Sequence, residues 1–283
     1  MNATTLRQLP GLAAAAFVIA ALPVSARADD ASPWDADARA GMRLIAASPT
    51  RAIDEAIRAG VELKLAPGWK TYWRYPGDSG VPPRFDFAGS QNVKSVAVEW
   101  PAPHRFSDDG ETTIGYKGTV VFPLRIVPQD AAKPVQLHVA LDYAVCDKLC
   151  VPVQGRAALA LGGGASSHDG ALAAAEAAVP KRAKLGDAAP LAVRAVRREA
   201  GDGHPRIVVD VAAPDAPIDL FAEGPTAEWA LPVPDPAEGA PPGLHRFVFA
   251  LDGVPPGASA AGAVLTLTLT SGGKAIEVAA PLD

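Results

Sequence analysis

The sequence predicts an all-β protein built from two β-sandwich domains joined by a linker that carries a short helix. Three observations predict it. Short runs with apolar residues at alternate positions recur along the chain, each closed by a turn residue. Glycine and proline together make up about 19% of the 283 residues, against roughly 12% in average usage, which favours many turns over long helices. A Gly-Gly-Gly-Ala-Ser-Ser run at residues 162–167, a flexible composition, separates two sets of such strands.

The elements follow in order. Arg7 precedes an apolar stretch from Leu12 to Val24, and Ser25-Ala26-Arg27-Ala28 has small residues where an A-x-A cleavage site needs them. Residues 1–28 therefore read as a secretory signal peptide cut after Ala28. The apolar run, at 13 residues, falls short of the roughly 20 that a membrane-crossing helix requires. The first sandwich is expected over residues 29–163. Its strand signals are Val61–Leu65, Val93–Trp100, Val120–Val127, Val135–Val145 and Arg156–Leu161. A linker is expected over 164–189, with an Ala-rich helix at Ala171–Ala183 limited by Pro180. The second, smaller sandwich spans 190–283, with strands at Ile207–Val211, Ile218–Ala222, Phe247–Leu251, Val264–Thr270 and Ala275–Ala279. From Leu265 to Thr270 leucine and threonine alternate, which puts leucine on one face and threonine on the other.

The net charge is −5, and removal of Arg7 and Arg27 with the signal leaves 24 basic against 31 acidic side chains, or −7. No basic footprint remains, so nucleic acid is not an expected partner. No Gly-Lys-Ser/Thr phosphate loop follows Gly162–Gly164, and no Gly-x-Ser-x-Gly elbow occurs. No cofactor is expected.

Chemistry concentrates at the two cysteines, in Cys146-Asp147-Lys148-Leu149-Cys150, directly after an alternating run. Left extended, their Cα atoms would sit about 13 Å apart, whereas those of a disulfide usually lie about 4.4–6.8 Å apart. A bond therefore requires the intervening residues to turn. In an exported protein such a pair tends to oxidise. The closed loop is short and constrains the unfolded chain little, which favours an exchanging bond over a structural staple. Both remain open, and so does Cu(I) binding by two soft sulfurs. His104, in a Pro-rich loop, and His138, in an alternating strand, are the histidines that could add ligands. Lys148 could lower a thiol pKa and Asp147 could raise it; both residue types also suit a solvated turn. The aromatics Trp69, Tyr72, Trp73 and Tyr75 cluster before Pro76-Gly77, as a binding surface or as a corner that caps the core.

Four stretches, in this order, resemble the N-terminal periplasmic region of DsbD-type protein-disulfide reductases, in the ScsB-like branch. They are the Gly68–Gly80 segment GWKTYWRYPGDSG, Trp100-Pro101-Ala102-Pro103, Ile114-Gly115-Tyr116, and the Tyr143–Pro152 segment YAVCDKLCVP. The resemblance spans roughly residues 40–162. It implies an immunoglobulin-like sandwich with one redox-active pair, Cys146 and Cys150, in which Cys150 attacks. It also implies thioredoxin-fold partners in the periplasm, electrons drawn from a membrane-embedded domain, and for some relatives a link to copper tolerance. The sequence ends at Asp283 without a stretch resembling that membrane domain, so a separate membrane electron donor is expected. Better-known members space their cysteines more widely and shield them with an aromatic cap. The corresponding segment here is His104–Tyr116, with Phe106 and Tyr116 as shielding candidates. Pro152 is expected to fix the exit from the cysteine turn.

Overall fold

A computed structural model describes residue 1 and residues 29–49, 56–108, 110–201 and 203–283. The export signal expected over residues 1–28 and its cut after Ala28 fall outside the described residues, Met1 apart. Among the described residues no helix is long and apolar enough to cross a membrane.

The first sandwich contains β1 (Asp35–Ala36), β2 (Ala40–Ala46), β3 (Ile57–Leu65), β4 (Lys70–Gly77), β5 (Arg84–Asp86), β6 (Val93–Val98), β7 (His104–Asp108), β8 (Glu111–Lys117), β9 (Thr119–Pro128), β10 (Val135–Cys146) and β11 (Cys150–Leu161). One sheet has the order β1-β2-β3-β9-β6; the facing sheet has the order β11-β10-β4-β8-β7, with β5 beside β10. Alternation decides the inward face. On β10, Val135, Leu137, Val139, Leu141, Tyr143 and Val145 all enter the core, so Ala144 and Cys146 face the opposite way.

Strands β4 and β8 occupy stretches expected as a corner and a loop. In β4 the first four residues, Lys70 to Trp73, are all buried. Such a strand shows no alternation, because both of its faces are covered. The aromatic cluster is therefore mostly interior: Trp73 lies in the core, with Trp69 and Tyr75 packed against it.

The Ala-rich segment forms α1 (Asp169–Ala178), which starts and stops earlier than the expected Ala171–Ala183. Pro180 disfavours helical backbone at Val179, which is extended. The helix lies against the outer face of the first sandwich's five-stranded sheet, where Leu172 packs on Ile45 and Val121. Gly60 makes this approach possible, since a methyl group there would press on Leu172 and Val121. Arg58 donates two hydrogen bonds to Glu176, at 2.8 and 2.7 Å, and the Ser48 N–H donates to Asp169 at 2.9 Å.

The second sandwich contains β12 (Lys181–Ala183), β13 (Ala192–Glu199), β14 (Arg206–Ala212), β15 (Ile218–Glu223), β16 (Asp235–Ala237), β17 (His245–Ala250), β18 (Val264–Ser271) and β19 (Lys274–Pro281). Its sheets have the orders β12-β19-β18-β15 and β13-β14-β17-β16. Leu265, Leu267 and Leu269 enter its core, as their alternation with threonine requires. The two sandwiches meet in apolar contact, for Phe221 and Val233 of the second belong to the core of the first.

Candidate functional site

The cysteines are brought together by strand register. Strands β10 and β11 pair without interruption from Val135↔Leu161 to Cys146↔Cys150. Directly opposed residues in an antiparallel pair have neighbouring Cβ atoms. The three residues Asp147-Lys148-Leu149 close the hairpin, and Cys146 and Cys150 form a disulfide with their Cα atoms 4.2 Å apart. The two sulfurs belong to unlike residues. Cys146 is 1% exposed and packs with Tyr72 and Ala144, whereas Cys150 is exposed at the start of the edge strand β11.

Tyr72 is the side chain that the sequence reading did not single out at the sulfurs. Strand β4 lies beside β10, with Thr71 opposite Val145 and Lys70 opposite Cys146. This register aims Tyr72 and Lys70 at the face that carries Cys146. The Tyr72 hydroxyl oxygen is 2.7 Å from Cys146 Sγ and 3.1 Å from Cys150 Sγ. A disulfide sulfur has no proton to give, so the phenol donates. Burial, and secondarily the negative charge of Glu111, raise the Tyr72 pKa above its ordinary value of 10.0. The hydroxyl therefore stays protonated across the neutral range.

The loop after β4 lies on this tyrosine. Gly80 has a φ of +136°, and a side chain there would collide with the Tyr72 ring. The loop is pinned to the β7–β8 hairpin. The Asp78 N–H donates to the Thr112 carbonyl at 2.9 Å, the Thr112 N–H donates back to the Asp78 carboxylate at 2.8 Å, and Ser79 Oγ donates to Glu111 at 2.7 Å.

The other expected site residues distribute as follows. Tyr116 faces the core, its ring edge-on to Phe122 at 5.4 Å and its hydroxyl donating to the Pro101 carbonyl at 2.8 Å. It pairs with Thr71, so strand parity turns it away from the sulfurs. The tyrosine at the disulfide is thus Tyr72 rather than Tyr116. Phe106 shares the disulfide's sheet face but sits on β7, three strands beyond β10, under Lys117 Nζ at 4.5 Å and Lys70 Nζ at 5.9 Å. Lys70 Nζ also donates to Thr113 Oγ1 at 2.8 Å. Asp147 and Lys148 are exposed at the hairpin tip, followed by Leu149, which is 78% exposed. Pro152 is exposed opposite Ala144, two residues beyond Cys150 on the same edge strand. His104 lies 6.4 Å from the Phe106 ring, and the His138 backbone pairs with Ser90. Among the described residues no group of three or more His, Cys, Asp or Glu side chains gathers where it could hold a metal ion.

This arrangement can support thiol–disulfide exchange. One cysteine is exposed at the edge of the sheet, and the other is buried beneath a hydrogen-bond donor.

The comparisons with known proteins agree with this geometry. Residues 42–161, which include Tyr72 and both cysteines, match the family model described as "Thiol:disulfide interchange protein DsbD, N-terminal". The fold resembles the crystal structure of the N-terminal periplasmic domain of ScsB from Proteus mirabilis, with a TM-score of 0.70 at 22% identity, over 89% of this chain and 98% of that one. The likeness in fold thus extends through both sandwiches. A structure of manganese lipoxygenase of Gaeumannomyces graminis with partial zonadhesin of Komagataella pastoris aligns over 80% of this chain and 87% of that one at 12% identity, with a TM-score of 0.20, too low for a shared fold. No curated protein matches the sequence.

Proposed function

Residues 42–161 match the DsbD N-terminal family model, and from that match we propose that this chain is a periplasmic thiol–disulfide exchange protein that passes electrons through Cys146 and Cys150 to thioredoxin-fold partners. One observation carries the proposal: the disulfide closes a hairpin with Cys150 exposed and Cys146 buried under the Tyr72 hydroxyl. Periplasmic location is supported by the sequence signal and by the compartment of the ScsB domain whose fold this chain shares.

The exchange proceeds in two balanced steps. In the reduced protein the exposed Cys150 thiolate attacks a partner disulfide. A Cys150–partner bond forms, and the partner's second sulfur leaves as a thiolate. Cys146 then attacks Cys150 Sγ, the intramolecular disulfide closes, and the partner departs with both electrons. Protonation of its two thiolates from solvent completes the transfer. The reverse sequence, with a separate membrane donor as the attacking dithiol, recharges the pair. There Cys146 is the leaving sulfur, and the Tyr72 hydroxyl donates a hydrogen bond to the charge that develops on it.

A Cys146→Ser variant tests the proposal. It should retain the exposed thiol and accumulate a mixed disulfide in periplasmic extract, because no resolving sulfur remains. The wild-type pair should have a reduction potential above about −300 mV, the value below which disulfides are structural. A lower potential with no trapped partner would overturn the assignment.

A further inference from the structure

Three consecutive residues of β4 connect the disulfide to the second sandwich. Tyr72 holds both sulfurs. Trp73 points the other way, is fully buried, and places its ring 5.8 Å from that of Phe221 on β15. Arg74 stacks on the Trp73 ring at 4.5 Å and donates to Glu223 at 2.8 and 2.7 Å and to Glu277 at 2.7 Å. A parallel link runs through β7, where Arg105 donates to Asp219 at 2.9 Å and to the Pro234 carbonyl. Strand β7 pairs with β8, whose first residues hold the loop that lies on Tyr72.

The first sandwich alone grips β4 weakly beyond this point. Its pairing with β10 covers only Lys70 and Thr71, and its ladder with β8 breaks between Tyr72 and Gly77. Residues 73–76 have no ladder partner among the described strands. The Trp73 indole N–H also lacks a hydrogen-bond partner among the described residues, although a buried tryptophan usually finds one. Packing and the arginine clamp therefore fix this stretch; the clamp comes from Glu223 and Glu277, and Phe221 adds to the packing that the first core gives Trp73.

We propose that the second sandwich positions Tyr72, with Phe221 as its principal positioning residue. It presses on Trp73 and so keeps the neighbouring hydroxyl seated on the sulfurs, which sets the redox equilibrium of the pair. Phe221 contacts neither sulfur and acts through β4. The inference rests on the thiol-exchange reading and assigns a task to residues 190–283.

The test is a double-mutant cycle on the whole protein, reading the equilibrium constant of the cysteine pair against glutathione. Tyr72→Phe should shift it toward the disulfide by about tenfold, the scale of one hydrogen bond to a charged group. Phe221→Ala should shift it the same way by at least about threefold, and Phe221→Leu should restore most of that. In the Tyr72→Phe background, Phe221→Ala should add less than about 1.5-fold, because residues acting through one contact are not additive. Thermal melts identify variants that remain folded. If Phe221→Ala does not fold, Glu223→Gln, which weakens the Arg74 clamp without opening a cavity, is read in the same cycle. Full additivity, or no shift in a folded variant, overturns the inference and leaves the exchange assignment standing. A wild-type pair that does not equilibrate with glutathione overturns both.

Discussion

Replacing Tyr72 with phenylalanine removes a single oxygen atom and keeps the ring that Gly80 and the loop beside it cover. The lost oxygen lies 2.7 Å from the buried sulfur and 3.1 Å from the exposed one. A hydrogen bond to a charged group contributes about 1.5–3 kcal/mol, and one to a weak neutral acceptor contributes less than about 1 kcal/mol. The disulfide is the weak acceptor and a Cys146 thiolate the strong one, so for a reduced pair whose negative charge rests on Cys146 the hydroxyl favours the reduced state by a net of about 1–2 kcal/mol. For a two-electron couple about 30 mV corresponds to 1.4 kcal/mol. The Tyr72→Phe potential should therefore be about 20–45 mV more negative than wild type. Equilibration in glutathione buffers at neutral pH, with the oxidised fraction counted by thiol alkylation, reads this directly. The raised Tyr72 pKa keeps the wild-type donor protonated there. An unchanged potential, or a shift to more positive values, would refute the claim that this hydroxyl stabilises the leaving sulfur.

Three further outcomes are expected. Leu172→Ala empties a fully buried site between α1 and its sheet and should cost about 3 kcal/mol in urea unfolding, while the potential of the cysteine pair stays where it is. Gly80→Val forces a side chain into the Tyr72 ring at a positive φ. It should displace the covering loop and speed reduction of the disulfide by dithiothreitol several-fold, measured under pseudo-first-order conditions. Burial alone would raise the Asp210 pKa, but hydrogen bonds from Arg246 and Arg197 outweigh it and hold the carboxyl below its ordinary value of 3.8. A lowered folded pKa gives stability that is present above the unfolded value and fades as pH falls through the folded one. Acid unfolding followed by circular dichroism should therefore lose part of its steepness below about pH 4 in an Asp210→Asn variant.

Legibility of the fold followed how each strand is buried. Strand β10 was readable because one face is core and the other is not, and β18 because its leucines and threonines divide in the same way. Strand β4 was not, since Lys70, Thr71, Tyr72 and Trp73 are buried together. Much of β8 is buried on both faces too, from Thr113 to Tyr116. Pro180 signalled a limit to the helix but not its end at Ala178, and the docking of the helix depends on Gly60, more than a hundred residues away in sequence. The site shows the same division. The cysteines and their turn are local and could be read from spacing. Tyr72 reaches the sulfurs only because β4 lies beside β10, a pairing between residues 70–71 and 145–146 that no local pattern encodes. The choice between Tyr72 and Tyr116 came down to strand parity, because the two tyrosines point to opposite faces of one sheet.

The long ladder that ends at Cys146 and Cys150 also bears on how the hairpin keeps its register. Side chains alternate between faces, so sliding β10 by a single residue would bury a cysteine in the core and expose Val145 in its place. The disulfide on the outer face of the sheet therefore belongs to the aligned register. While the pair is oxidised, its bond pins the end of the hairpin in this register, and while it is reduced the ladder and the core hold the register alone.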